Sequence, residues 1–332
     1  MYDEVLRIPY GELESAVAAA LCTLSFTPER AGLCARLFTE TTLDGVYTHG
    51  LNRFPRFVRM IRAGRIDVHA VPELLASHGA IERWDGKRGV GNLNAYHAMG
   101  RAIQLAATHG IGAVALAFTN HWMRAGSYGW QAADAGFIGI CWTNTLPNMP
   151  PWGSAESRLG NNPIVFAVPR PPAHVVFDMA MSQFSYGALG AYRARGEQLP
   201  VDGGFDSAGQ LTRDPAAIEE SQRVLPVGYW KGAGLALLLD MIAAILSGGL
   251  ATHQIPTDPE REIGVSQMFL ALDPAALGSR DAALAMADRI VASGGPRYPG
   301  QRAFELRAEN RRLGVPVEEA VWREVQELAT SR

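Results

Sequence analysis

Apolar positions recur at three- and four-residue spacing over Val17 to Cys22 and again from Pro28 to Asp44, the rhythm that places side chains on one helix face. Thr27 before Pro28 supplies an N-cap and a proline at the first helical position, so the spacing predicts a long helix running into Asp44. Phe54 to Ala63 reads as a second amphipathic helix closed by Gly64, and Asn92 to His109 as a third ended by Gly110. The rhythm then changes. Ile111 to Ala117 is a short apolar run of strand type, and Phe137 to Thr143, Pro163 to Val168 and Val175 to Met179 are short, β-branched or aromatic, and bounded by Gly, Pro or Asn. Pro200 to Pro215 is loop-rich and reads as an exposed excursion. Helical spacing returns at Lys231, where Ala233 to Leu246, interrupted by Asp240, reads as a buried helix. Val265 to Leu272 follows as a strand, and Asp281 to Val291, Ala303 to Leu313 and Val317 to Ala329 as terminal helices. No internal repeat is present. The pattern predicts an α/β chain: a mixed-sheet core over residues 81–280, wrapped by a discontinuous, mainly helical region from both termini, 1–80 and 281–332.

Composition narrows the classes. A chain of 332 residues can bury one large core or two interleaved ones. Its formal net charge is −3, with Lys and Arg scattered rather than gathered into a stripe, so nucleic acid is not expected as a partner. Met1 to Tyr10 carries Asp3 and Glu4 and does not read as a signal peptide, and no uninterrupted apolar run reaches the length of a membrane span. Cys22, Cys34 and Cys141 are odd in number and widely spaced, which argues against a disulfide framework or a metal site and for a reducing cytoplasm.

The familiar nucleotide signatures are missing. GxGxxG is absent; Gly89-Val90-Gly91-Asn92-Leu93-Asn94 opens a helix but lacks the third glycine. Walker A, GxSxG and HExxH are absent too. What remains is a set of polar residues in glycine- and aromatic-rich turns. His49 stands at the end of the long predicted helix with Arg53 four residues on and Arg56 beyond; on a helix these would share a face and converge on one ligand. Imidazole can hand over a proton near neutral pH, and a guanidinium suits a carboxylate. The plainer reading is a helix terminus with a solvated arginine. Asn120-His121-Trp122-Met123-Arg124 follows a strand, where site residues are commonly presented, though a histidine beside a tryptophan is often structural. Asp178-Met179-Ala180-Met181-Ser182-Gln183-Phe184 ends an apolar strand; such a loop can offer backbone N–H groups to a phosphate, and Asp178 could orient a histidine, or it is simply an Asp turn. Gly228-Tyr229-Trp230-Lys231-Gly232 pairs a flat apolar ring with a cation at a helix start, fit for a cofactor or for close packing.

Taken in order, these runs are specific. Gly45-Val46-Tyr47-Thr48-His49-Gly50-Leu51-Asn52-Arg53-Phe54-Pro55-Arg56-Phe57 is followed by Asn120 to Arg124, Gly139 to Asn144, Pro150-Pro151-Trp152-Gly153, Asp178 to Gly187, Leu199 to Phe205 and Gly228 to Gly232. The series closely resembles the 2,3-diketo-L-gulonate reductases, within the malate and L-lactate dehydrogenase-like family, over nearly the whole chain. The resemblance implies a non-Rossmann nicotinamide-binding fold, which would account for the missing glycine fingerprint. It implies His49 as proton donor, Arg53 and His121 lining the substrate pocket, and dinucleotide contacts from Asp178 to Phe184, Trp230, Lys231 and the Gly300-Gln301-Arg302 turn. It also implies a homodimer with sites near the subunit interface. Two positions depart from the family pattern: Gly300-Gln301-Arg302 stands where a Gly-His-Glu type of turn is expected, and Asn161 stands where Thr is common.

The expectation is therefore an NADH-dependent reductase of a small 2-oxo acid, with NADPH open as an alternative donor. Arg53 would hold the carboxylate, His49 would donate the proton, and Asp178 would stabilise the charged imidazole. Malate, lactate or a cyclic imine acid are alternative substrates, and a non-catalytic sugar-acid binding protein is the alternative from another class.

Overall fold

The computed structural model describes residues 6–331; the first half of the Met1 to Tyr10 reading, with Asp3 and Glu4, falls outside them. From the amino end come β1 (Leu6–Ile8), α1 (Tyr10–Thr23), α2 (Pro28–Leu43), α3 (Phe54–Arg62), β2 (Glu73–His78) and β3 (Ile81–Asp85). The middle runs α4 (Gly91–His109), β4 (Ile111–Asn120), α5 (Gly126–Asp134), β5 (Ile138–Thr143), β6 (Ile164–Val168), β7 (Val175–Met179) and α6 (Tyr186–Ala194). Two-residue strands β8 (Gly204–Phe205) and β9 (Leu211–Thr212) and α7 (Pro215–Ser221) follow. The chain ends with α8 (Trp230–Ser247), β10 (Ile263–Leu272), α9 (Arg280–Ser293), α10 (Gln301–Leu313), β11 (Val315–Val317) and α11 (Glu319–Thr330).

Seven strands form one mixed sheet in the order β2-β3-β4-β10-β5-β6-β7. Only β3 and β4 run parallel, as they must when a long helix, α4, carries the chain back to the same end of the sheet. β10 is inserted between β4 and β5, so the centre of the sheet closes only when the last third of the chain arrives. This order and its single parallel pair are not those of a Rossmann sheet. α4 and α5 cover one face through Ala95, Ala98, Met99, Ala102 and Trp130. Gly139 on β5 permits that approach, since a Cβ there would stand 2.7 Å from the Ala132 methyl.

α8 covers the other face with small residues, among them Gly232, Ala233, Ala236 and Ala243, which let it lie close to the strands. Asp240 is part of that seam: its carboxylate accepts from Asn144 Nδ2 at 2.7 Å and from the Thr252 N–H at 2.9 Å, so the charge that interrupts the apolar run is satisfied inside the protein. The expectation of a buried helix is corrected here. Leu235, Leu238, Met241, Ile242 and Leu246 are open to solvent and Ile245 is 70% exposed, because one sheet can bury only one stripe of a helix that is apolar all round. By length and apolarity α8 also meets the requirement of a membrane span, which the reading of the sequence did not anticipate.

The two ends of the chain share a separate core. Leu13, Val17, Leu21, Phe38, Phe54 and Phe57 pack with Trp322, Val325 and Leu328, and β1 pairs antiparallel with β11, Leu6 opposite Val317. α9 contributes no buried residue to it or to any other core. β2 belongs to the sheet, although the 1–80 boundary assigned it to the helical region. The Pro200 to Pro215 excursion carries the β8–β9 hairpin.

Candidate active site

α2 stops at Leu43 with Asp44 as its C-cap, so His49 does not lie on that helix. Two single 3₁₀ turns follow, Tyr47–His49 and Leu51–Arg53, separated by Gly50 in a non-helical conformation (φ −92°, ψ −133°), before α3 begins. The convergence of His49 and Arg53 is therefore made by two tight turns and not by one helix face, a correction to the spacing argument. The Thr42 hydroxyl accepts from the Leu51 N–H at 2.8 Å, and Gly50 packs so tightly on Thr42 that no side chain fits there. The turns are thereby pinned to the end of α2.

His49, Arg53, Arg56, His121 and Asp178 all face one cavity of about 1030 Å³. The imidazoles of His49 and His121 are stacked, ring centres 5.8 Å apart. His121 Nδ1 accepts from the Met123 N–H at 3.0 Å, so the neutral ring carries its hydrogen on Nε2. Burial, Arg53, His49 and Arg56 all disfavour a second proton and hold its pKa well below the usual value. His121 is thus built as a neutral hydrogen-bond donor. His49 Nδ1 lies 3.1 Å from the Thr48 hydroxyl, which leaves Nε2 as its free nitrogen. Its pKa is pushed down to about 4 by burial first, then by Arg53 and Arg124. Both rings are neutral at pH 7 while no anion is bound.

Among the described residues Arg53 has only a distant partner, Glu262 at 3.9 Å, so most of its donors remain to meet an anion. Burial is the first cause that lowers its pKa, to about 10, and it stays a cation at neutral pH. Asp178 does not touch either histidine. Its carboxylate accepts from the Gly126 N–H at 2.8 Å and faces Arg124, so the triad-like role expected for it is not the role its bonds define. Burial raises the pKa of Asp178, while Arg124 and the Gly126 N–H counter the rise.

The sequence reading missed the group behind these residues. The Asp44 carboxylate, fully buried, takes hydrogen bonds from Arg124 and, at 2.7 Å each, from Nε and Nη2 of Arg307. It thus ties the turn that carries His49 to the His121 loop and to α10. One signal was available: an acid at a helix C-terminus opposes the helix dipole and needs a cationic partner.

Of the residues expected at the cofactor, Asp178, Ala180, Gly300, Gln301 and Arg302 line the cavity; Met179, Met181, Ser182, Gln183, Phe184, Trp230 and Lys231 do not. Met181 is core, and the loop spends two N–H groups inside the protein: Met181 N on Asn161 O at 2.7 Å and Gln183 N on Leu225 O at 2.7 Å. They are not available to a phosphate. Val227 N donates to Met181 O at 2.8 Å, which lays this loop beside the segment leading to Trp230 and Lys231, both exposed. Gly300 has φ +90°, and a Cβ there would lie 3.0 Å from the Val176 amide nitrogen, so only glycine lets α10 start against β7. The free N–H groups of that first turn, with Arg297 and Arg302 on the cavity wall, fit the phosphates of a dinucleotide.

A non-Rossmann sheet whose edge opens on a cavity with two neutral imidazoles and a free guanidinium has the parts of a dehydrogenase of small acids. The profile of the malate/L-lactate dehydrogenase family matches residues 8–326. The chain belongs to that family and is an oxidoreductase of its nicotinamide-dependent type. It is 48% identical to a 2,3-diketo-L-gulonate reductase of Shigella boydii serotype 4, over 97% of this chain and 100% of the relative. To the enzyme of that name from Escherichia coli K12 it is 47% identical, over the same shares. The sulfolactate dehydrogenase of Methanocaldococcus jannaschii superposes with a TM-score of 0.89 at 26% identity, over 97% of this chain and 96% of that one. The delta1-piperideine-2-carboxylate reductase of Pseudomonas syringae superposes with a TM-score of 0.89 at 25% identity, over 97% and 99%.

Proposed function

We propose that this chain is an NADH-dependent reductase of 2,3-diketo-L-gulonate, acting as a homodimer in the cytoplasm. The observation that carries the chemistry is the meeting of His49, His121 and Arg53 in one cavity. The near-full-length identity to reductases of that name supports the substrate.

When bound, the nicotinamide supplies the hydride. Arg53 takes the substrate carboxylate, and His121 donates from Nε2 to an oxygen of the acid. His49 gives its proton to the reacting keto oxygen from Nε2. A carboxylate on Arg53 offsets one of the cations that hold the His49 pKa down, so substrate binding favours the charged form of His49. Arg124 and the Gly126 N–H favour the charged form of Asp178 against the burial that opposes it.

The open apolar face of α8 supports the dimer, because a second copy of the same face would cover it and leave Trp230 and Lys231 at the junction. The three free cysteines, two of them buried, fit a reducing compartment.

The test is the loss of NADH absorbance with 2,3-diketo-L-gulonate beside pyruvate, oxaloacetate and a cyclic imine acid. Fast oxidation with the diketo acid is expected, and His49→Ala should depress turnover far more than NADH affinity. Activity confined to another acid would refute the substrate. Binding of the acid with no oxidation of NADH or NADPH would refute the reductase.

A further inference from the structure

Asn161 stands on the cavity wall where the family pattern suggested threonine, and its amide orientation is fixed by a chain of bonds that starts at the backbone. The Asn161 N–H donates to Asn148 Oδ1 at 2.9 Å. This settles which end of the Asn148 amide faces it, so Asn148 Nδ2 is the end that donates, at 3.1 Å, to Asn161 Oδ1. The Thr145 hydroxyl reaches the same oxygen at 3.1 Å. With Oδ1 held by Asn148 Nδ2, and the single Thr145 hydroxyl hydrogen shared among that oxygen, Asn162 Oδ1 and Leu146 O, Nδ2 of Asn161 must point the other way. No described residue accepts from it, and it is not sealed from the cavity. The Asn161 carbonyl meanwhile accepts from Met181 N at 2.7 Å, so the residue is rigidly placed beside the loop that follows Asp178.

We propose that Asn161 Nδ2 is a specificity-determining donor for an acceptor oxygen on carbon 3 or beyond of the 2-oxo acid, so that the site selects oxygenated acids over plain ones. Arg53 and the two histidines already answer the carboxylate and the reacting carbonyl, and a substrate with nothing further would leave this fixed amide to water. The inference rests on the reductase reading and adds what the substrate must carry. A threonine would offer one rotatable hydroxyl in place of this oriented NH₂.

The test compares kcat/KM for 2,3-diketo-L-gulonate and other 2-oxo acids oxygenated at carbon 3 with that for pyruvate and 2-oxobutyrate. It is run in the wild type, Asn161→Asp and Asn161→Thr. Asn161→Asp keeps the oxygen that Thr145 and Asn148 need and puts a charged acceptor oxygen where the donor stood, so the ratio between acids, and not the loss common to all of them, carries the result. The preference for oxygenated acids should fall about 10-fold or more in Asn161→Asp and by a smaller factor in Asn161→Thr. Equal loss for all acids would reduce Asn161 to a structural role and overturn the inference, as would an unchanged ratio. A wild type that prefers the plain acids overturns it while leaving the reductase standing, and a wild type that reduces none of them overturns both.

Discussion

Asp44→Asn tests whether the ion group behind the site is what holds its three segments together. The Asp44 side chain is fully buried, that of Arg124 is 7% exposed and that of Arg307 is 26% exposed. Removing one charge from a buried, hydrogen-bonded set costs about 3–5 kcal/mol, most of it from the cation left without a partner. Arg307 can turn partly to water and keeps the Trp130 ring 4.5 Å from its guanidinium, so the loss falls mainly on Arg124. The lower end, about 3 kcal/mol, is expected. Unfolding entropy of about 2.1 cal/mol/K per residue over 332 residues makes about 0.7 kcal/mol per degree, and Tm should drop by about 4 °C. The assay is a thermal scan at fixed protein concentration, with activity read at a temperature where both forms are folded. NADH turnover should fall as well, since Arg124 also faces Asp178. Arg307→Gln should cost less, about 1 kcal/mol, because its exposure lets water replace the partner. A Tm for Asp44→Asn within 1 °C of the wild type would refute the argument.

Four further outcomes follow from the same geometry. His49 has its pKa lowered from 6.5 to about 4, so the unfolded chain binds more protons than the folded one between those values; stability should fall as pH drops from about 6.5 to about 4 and be flat above, and His49→Gln should weaken that slope in denaturant titrations. Keto-acid binding should take up a fraction of a proton per site that grows as pH falls below 7, seen as a buffer-dependent binding enthalpy; no uptake at any pH would refute His49 as the group whose charged form the substrate favours. Gly300→Ala forces a side chain onto φ +90° and against the Val176 backbone, which should cost about 2 kcal/mol in a denaturation curve and weaken NADH binding more than keto-acid binding; an unchanged NADH affinity would remove this turn from the cofactor site. Ile245→Asp, on the open face of α8, should shift the protein to monomers in sedimentation, and an unaltered dimer would place the interface elsewhere.

The helices that carry their own stop signals were legible in the chain: Thr27 with Pro28 and Gly110 mark ends that the structure keeps within a residue. Local rules suffice there, because a cap or a left-handed glycine acts within one turn. The strands β2 and β3, with exposed and mixed side chains, gave no periodic signal. The site residues His49, Arg53, His121 and Asp178 were legible as chemistry in turns and as a resemblance, but not how they meet. The helix-face argument for His49 and Arg53 failed because Gly50 breaks the helix, and Asp178 found the Gly126 amide and Arg124 in place of a histidine. What only the tertiary structure decided are relations between distant segments: β10 entering between β4 and β5, Asp44 meeting Arg307, and Asn148 orienting Asn161. Local spacing fixes which face of an element is apolar or charged, whereas the partner of that face is chosen by packing and by the need of each buried charge and amide to be paired, and no short stretch of sequence contains that choice.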